Sequence, residues 1–432
     1  MKGSSFPVTS KNDLRRLIEE CFRREAGAAA IIPRDDVDLI ETGVFDSMAW
    51  VSFLRSVETA SGVSDLGSGL NEHSASLSGV LAALRNSTAG VSVSAENGPI
   101  QKASAPHAQT LLSGSSAVFG SRVVPSEEVD RAFGMSIGKL RHRAGIESIT
   151  YADRGENELA LGARAAEEAL GKSSCSPQQL DWIIATSETH HGYPSLSAQL
   201  HSRLLVRETC GALDVGGACL GLLNALAVAQ SLIASGRAQN VAVVTADVHS
   251  RVLTPGRIAG EFGGLFGDGA SAFILRRAAG NENEGYLLRD SLFGCAGQYA
   301  AAIQVRDGKD GALEVEFDGD ALSRAAITRM EKVLTDVELR SGIPRSSVGG
   351  FATHQPNPRL VALLAKQLGV PPEKFPPIAK TCGNLGSSTC GAALHAVLQA
   401  DAKHPRGQRQ PVFLASLGPG LLFGGGWLTP AD

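Results

Sequence analysis

Of 432 residues, 40 are Lys or Arg and 44 are Asp or Glu, leaving a net charge of −4, with 43% hydrophobic and 19% charged side chains. This balance predicts a globular protein with room for two or three domains, and it gives no electrostatic reason to expect nucleic acid or an anionic membrane as partner. The seven cysteines are odd in number and form no CxxC pair, which argues against a disulfide framework and against a zinc site.

The opening MKGSSFPVTSKNDLRRLIEE has no apolar run of the secretory kind, and no 18-residue apolar stretch follows it, so a cytoplasmic setting without a membrane span is expected. Residues 11–85 read as a small helical unit. Leu14, Leu17, Ile18, Cys21 and Phe22 fall at helical spacing, Met48, Val51, Leu54 and Val57 form a second stripe, and Val80, Leu81 and Leu84 a third. From Asn86 to Ser115 the chain turns rich in Ser, Ala, Gly and Asn with no sustained period, and reads as a linker.

Beyond residue 116, apolar β-type runs alternate with helical patterns. Strands are predicted at Trp182–Thr186, Val241–Val244, Ala272–Leu275, Val412–Ala415 and Leu421–Phe423. Helices are predicted at Leu159–Leu170, Cys219–Ser235, Arg324–Leu339 and Leu360–Leu368. Alternation of this kind implies α/β layering with buried, largely parallel strands, and two rounds of it fit one two-lobed domain.

Three loops in this region carry chemistry. In DVGGACLGLL, Cys219 follows small residues and precedes an apolar helix, whose N-terminal N–H groups lower a thiol pKa; the alternative is an inert buried cysteine. His354 lies in THQPNPRL and Asn384 in TCGNLGSSTCG, each in a Gly- or Pro-marked loop ahead of a helix, where α/β proteins present reactive groups.

On these residues the region 116–432 resembles the thiolase-fold condensing enzymes, most nearly the β-ketoacyl synthase III group. ALDVGGACLG is similar to the family's nucleophile loop and FGDGASAFIL to its Gly-Asp-Gly turn and following strand. HQPNPR is similar to the His loop, GNLGSS to the Asn loop and LGPGLLFGGGW to the C-terminal glycine loop, while RAGI and TSETHHGYPS also fit. The 135 residues from Cys219 to His354 and the 30 from His354 to Asn384 suit the family. The resemblance implies a two-lobed layered α/β fold, with lobes at about 116–280 and 281–432.

It also implies that Cys219 takes an acyl primer as a thioester from acyl-CoA or an acyl carrier. His354 and Asn384 then hold the carbonyl of a malonyl-type thioester, stabilising the enolate formed as CO₂ leaves, and the carbanion attacks the Cys219 acyl group to give a 3-oxoacyl product. Gly418 and Gly420 correspond to the oxyanion loop, where Pro419 replaces a central glycine and removes an N–H. Tyr193 corresponds to a residue at the acyl pocket or dimer contact. Arg143 and Arg359 correspond to contacts with a carrier or coenzyme A, while Lys139 stands where relatives stack a tryptophan on adenine. A homodimer is expected.

The N-terminal stretch 8–86 resembles an acyl carrier protein domain, joined through a linker at 87–115. In GVFDSMAW the DSM triplet falls where carriers have Asp-Ser-Leu, so the resemblance implies 4′-phosphopantetheine on Ser47, installed by a phosphopantetheinyl transferase; the plainer reading of Asp46-Ser47 is a helix N-cap. Asp35, Asp36, Asp38, Glu41, Asp46, Glu58 and Asp65 against Arg34 and Arg55 suit an acidic docking face. Such a tether raises the local carrier concentration to roughly millimolar.

The chief alternative is an acyltransferase of the same fold that moves the acyl group from Cys219 to an alcohol, an amine or a second carrier without decarboxylation. A non-catalytic partner subunit would have lost Cys219, His354 or Asn384. A hydroxymethylglutaryl-synthase-like reaction would need a glutamate at the nucleophile, for which Glu188 is the one candidate.

Overall fold

A computed structural model describes residues 11–40, 42–63, 66, 75–88, 108–280, 284–317 and 319–431. The chain divides into two units, Met1–Ser104 with Asp318–Ala326, and Ala105–Phe317 with Ile327–Asp432.

In the first unit, α1 (Lys11–Ala26), α2 (Ser47–Ser61) and α3 (Leu77–Thr88) enclose one core. Phe22, Phe45, Trp50 and Phe53 fill it, with ring centroids 5.2 to 6.2 Å apart in tilted and edge-on pairs. Asp46 is the N-cap of α2 and accepts from the Ala49 N–H at 2.8 Å; Gly62 closes the helix in the left-handed region at φ 72°. The acidic residues have local work here. Asp35 takes Arg15 in a two-pronged pair at 2.8 Å, and Glu58, buried, accepts from Arg55 and from the Leu66 N–H at 2.8 Å. Glu58 therefore belongs to the interior rather than to an acidic face. Glu41 and Asp65 lie outside the described residues.

The second unit is built on a mixed sheet. Its strands are β1 (Thr110–Phe119), β2 (Trp182–Thr186), β3 (Gly211–Asp214), β4 (Asn240–Val248), β5 (Asp268–Arg277), β6 (Tyr286–Cys295), β7 (Gly350–Thr353), β8 (Val412–Gly418) and β9 (Leu422–Pro430). Among the described residues the order is β7-β8-β9-β6-β1-β5-β4-β2-β3. Outward from the antiparallel β1/β6 contact, β1-β5-β4-β2 and β6-β9-β8-β7 run through the same ladders: antiparallel, antiparallel, parallel. The two halves are one motif used twice.

Most of the ladders are antiparallel, against the expectation of largely parallel strands. The strands read as continuous apolar runs because helices cover both faces, not because the sheet is parallel. Along β4 and β5, Val241, Val243, Phe273 and Leu275 pack on one side with α5 (Gly221–Ala234) and α7 (Ser387–Asp401). Ala242, Val244, Ala272 and Ile274 pack on the other with α4 (Glu158–Gly171). The remaining labelled helix, α6, spans Pro358–Leu368. β1 begins at Thr110, inside the stretch that composition reads as linker. Leu111 and Leu112 are buried there, while Gly114 admits α4 so closely that a Cβ would overlap the Ala169 carbonyl. Ser and Gly here mark close packing against a helix, a pattern that a linker shares.

α7 lies so near β5 that a Cβ on Gly391 would overlap the Ser271 hydroxyl. Gly391→Val should therefore lower stability by about 1–3 kcal/mol through overpacking, read as a reduced urea midpoint.

Candidate active site

The turn that carries Cys219 is shaped by close approaches. Gly217 has φ +133° and Ala218 φ +47°, and the 3₁₀ turn Ala218–Leu220 leads into α5. A Cβ on Gly217 would overlap the Asn224 amide, and one on Gly221 the Thr186 hydroxyl. From β8, the Ser416 hydroxyl donates to the Cys219 carbonyl at 2.6 Å, and a Cβ on Gly418 would stand 2.9 Å from the Gly217 carbonyl oxygen. The small residues thus let the turn dock between β2 and β8.

Cys219 is 9% exposed. Its thiol is pushed well above the usual range, first by burial, then by the charge of Glu188 and its hydrogen bond, then by Asp247. The expected lowering by the helix N-terminus does not prevail. The cysteine precedes the first turn of α5, and a dipole contribution of about 0.3–1 kcal/mol is outweighed by burial beside a carboxylate.

His354 follows β7, its N–H donating to the Ala415 carbonyl at 3.1 Å. Its Nδ1 is buried without a hydrogen-bond partner, and burial holds its pKa down to about 4, so the ring is neutral at neutral pH. Gln355 braces the next segment through Pro376 (2.7 Å) and the Ala379 N–H (3.1 Å).

Asn384 is clamped by its backbone to Leu265 and Gly267, each at 2.9 Å, which is the work of the Gly-Asp-Gly turn. Its Oδ1 accepts from the Gly386 N–H (2.9 Å) and the Thr389 hydroxyl (3.1 Å). The Gly386 N–H can only donate, so this oxygen assignment is chemically determined and the NH₂ is left to donate.

Sequence reasoning underrated Glu188 and missed Asp247 and His249. Glu188, on the loop after β2, lies beside Cys219, His249 and His354, which act on its carboxylate through charge or hydrogen bonding. Its carboxylate is 3.7 Å from His249 Nε2, an ion-pair separation longer than a hydrogen bond. The Glu188 carboxyl is held below its usual range despite burial, chiefly by His249, whose own pKa rises to about 9. Asp247, at the end of β4, accepts from the Glu188 N–H (2.6 Å), the Ser187 hydroxyl (3.4 Å), the Ser387 hydroxyl (2.6 Å) and both N–H and hydroxyl of Ser388 (3.2 Å each). The available signal was a carboxylate or imidazole immediately after an apolar strand: Glu188 after WIIATS, and Asp247 and His249 in VAVVTADVH.

Gly418 reaches the Cys219 turn, whereas Gly420 sits in the following turn at φ 78° with open space where a side chain would be. Tyr193 is fully exposed and does not line the Cys219 site of its own chain. Arg143 and Arg359 are exposed on adjoining elements. A Cβ on Gly145 would be 3.1 Å from Pro358 and 3.8 Å from Arg359 Cγ, which places the Arg143 turn against the start of α6. Lys139 pairs with Glu261 at 3.4 Å. Among the described residues, no group of three or more His, Cys, Asp or Glu could hold a metal, and no helix is long and apolar enough to cross a membrane.

Residues 213–297 match the family described as 3-oxoacyl-[acyl-carrier-protein] synthase III, and residues 339–429 its C-terminal region. The β-ketoacyl-[acyl-carrier-protein] synthase III 3 of Streptomyces coelicolor is 31% identical over 335 residues, covering 74% of this chain and 97% of that protein. A β-ketoacyl-[acyl-carrier-protein] synthase III of Granulibacter bethesdensis is 27% identical, covering 73% and 98%. The crystal structure of 3-oxoacyl-[acyl-carrier-protein] synthase III from Aquifex aeolicus superposes with a TM-score of 0.65 at 26% identity, over 74% of this chain and 99% of that one. Xanthomonas campestris OleA shares the fold, with a TM-score of 0.67 at 19% identity over 75% and 100%.

These relatives correct the cofactor expectation. They are synthases named for an acyl-carrier-protein substrate, so the phosphopantetheine arm comes with that substrate and is not carried covalently by the enzyme. Covalent 4′-phosphopantetheine on Ser47 therefore does not hold, and a phosphopantetheinyl transferase has no task on that account. Locally, the DSM triplet is explained by Asp46 capping α2. The Ser47 side chain itself lies outside the described residues.

Two outcomes follow. Asp46→Ala should cost about 1 kcal/mol of stability through the lost cap, seen as a lower melting temperature of the N-terminal unit. In ¹³C-histidine NMR, the His354 ring should stay neutral down to about pH 4 and the His249 ring stay protonated up to about pH 9, with resonances assigned by His354→Gln and His249→Gln. Titration of either near 6.5 contradicts this electrostatic picture.

Proposed function

The chain belongs to the 3-oxoacyl-[acyl-carrier-protein] synthase III family, and from that premise we propose that it catalyses a decarboxylative Claisen condensation in fatty-acid or polyketide biosynthesis. A primer on Cys219 is joined to a malonyl-type thioester to give a 3-oxoacyl product. The substrates are acyl-CoA and acyl-carrier thioesters.

The observation that carries this reading is the donor pair. His354 is held neutral, and Asn384 has its oxygen engaged so that its NH₂ donates. Neither group carries charge in the ground state. Hydrogen bonds from them to a thioester oxygen strengthen as enolate charge grows during loss of CO₂. The enolate carbon then attacks the Cys219 thioester, expelling the sulfur. The Cys219 N–H and the backbone beside Gly418 supply the primer-side oxyanion contact. Gly420 shapes the turn that follows.

At the surface, Arg143 and Arg359 form the basic patch that meets the phosphate of a carrier arm or of coenzyme A. Tyr193, with the exposed edge strand β3 and its Leu213, supports a homodimer in which Tyr193 crosses to the partner's acyl pocket. The division of the chain is read as a carrier-like helical domain at 8–86, a linker that ends before β1 begins at Thr110, and a synthase from there to 432, with lobes meeting near 280. The carrier likeness of the first domain concerns its helical core and sequence alone.

Incubation with acyl-CoA and malonyl thioesters, followed by peptide mass spectrometry and CO₂ measurement, tests the reading. Acyl mass is expected on Cys219, with CO₂ release and a 3-oxoacyl product. His354→Ala or Asn384→Ala should leave Cys219 acylation intact and lower condensation by about 10²–10³-fold. Acylation without CO₂ release would instead establish the acyltransferase.

A further inference from the structure

We propose that Glu188 is a catalytic base of this site, taking the Cys219 proton as the sulfur attacks an acyl thioester, with His249 as its positioning residue. This rests on the acyl-transfer reading above and adds a step to it.

The need for a base comes from the thiol. Cys219 is buried beside a carboxylate, so a standing thiolate is disfavoured and the proton has to leave as the carbon–sulfur bond forms. The other site residues suit this task poorly. Asn384 Oδ1 is already occupied by two donors. His354 is kept, in the reading above, as the neutral donor to the extender carbonyl.

Glu188 has the required attributes. It lies beside the thiol, it is ionised, and its side chain keeps 17% exposure. Its Oε1 has no hydrogen-bond partner. The backbone is fixed by the 2.6 Å bond from the Glu188 N–H to Asp247, so the carboxylate starts from a defined point.

His249 makes that carboxylate dependable. Its Nδ1–H donates to the Gly267 carbonyl at 3.1 Å, which aims Nε2 at Glu188, 3.7 Å away, and Nε2 has no other partner. The ring packs on Phe266 with centroids 4.6 Å apart. Gly386 closes the space, since a Cβ there would be 2.6 Å from His249 Cε1 and 2.9 Å from Glu188 Cδ. The charged and titratable groups facing the pair are Cys219, Asp247, Asp268 and His354.

In the step, the Cys219 sulfur forms a bond to the acyl carbon while its proton passes to Glu188. The tetrahedral intermediate then breaks the donor's carbon–sulfur bond, and Glu188 returns the proton to the departing thiolate. No electrons change hands and no co-reactant is needed.

The test exploits opposite signs. If Glu188 only burdens the thiol with negative charge, Glu188→Gln lowers the thiol pKa and speeds acylation. If it is the base, Glu188→Gln slows acylation by about 10²-fold at pH 7, and the rate then climbs about tenfold per pH unit as the thiol ionises unaided. The probe is S-acetyl-N-acetylcysteamine, small enough to reach the thiol whatever acyl length the site prefers. Acetyl-Cys219 is timed by mass spectrometry from pH 5 to 10 on the full chain. His249→Gln should move the acylation profile to higher pH while keeping its plateau, an effect that a merely structural role would not give. Acylation of Glu188→Gln at or above the wild-type rate overturns the proposal, as does an unshifted profile for His249→Gln or a wild type that is not acylated at all. CO₂ release from malonyl thioester by the wild-type protein is scored separately, so failure of the condensation reading is distinguishable.

Discussion

A single buried carboxylate ties the site together. Asp247, at the end of β4, receives five hydrogen bonds, two from the loop after β2 and three from the first turn of α7. The first loop carries Glu188 and the second follows directly on Asn384. Hydrogen bonds to a charged acceptor contribute about 1.5–3 kcal/mol each, and removing that acceptor would strand several buried donors at once. The cost of burying Asp247 is visible in its own pKa, raised to about 6. Thr245 extends the network, donating to Ser388 at 2.8 Å and sharing 2.7 Å with Ser271.

The repeated half-sheet explains why one linkage matters so much. Each half delivers a strand-end loop and a helix start to the same place. The first half supplies Glu188 after β2 and Cys219 before α5, and the second supplies His354 after β7 and Asn384 before α7. The halves meet through the antiparallel β1/β6 ladder and through α5 packing on α7. A site drawn from both halves is rigid only where they are cross-linked. Asp247 with Ser387 and Ser388, and Ser416 with Cys219, are such cross-links.

Inside this frame the protonation states are sorted by neighbours rather than by residue type. His249, facing Asp247, Glu188 and Asp268, keeps its proton, whereas His354, with no hydrogen-bond partner at Nδ1, loses it to desolvation. Two imidazoles of one site thus serve opposite ends: one as a fixed cation, the other as a neutral ring.

Much of this was legible in the sequence. The apolar periods gave the strands and helices, because burial on a sheet or helix face imposes them. Cys219 and Asn384 stood out because each lies in a loop whose glycines are demanded by close backbone approach, and His354 because prolines mark the loop that carries it. Covalent chemistry on Ser47 was misread, since Asp-Ser ahead of an apolar helix is a capping signal whatever else it resembles. The strand directions, the docking of β1 from a Ser- and Gly-rich stretch, and the raised thiol pKa were decided only by tertiary structure. So was the roster around the thiol: Glu188, Asp247 and His249 are dispersed along the chain and become one electrostatic unit only when the strands that carry them lie side by side. Periodicity is a local property and survives in sequence; the field at a buried sulfur is set by distances between segments, which sequence does not contain.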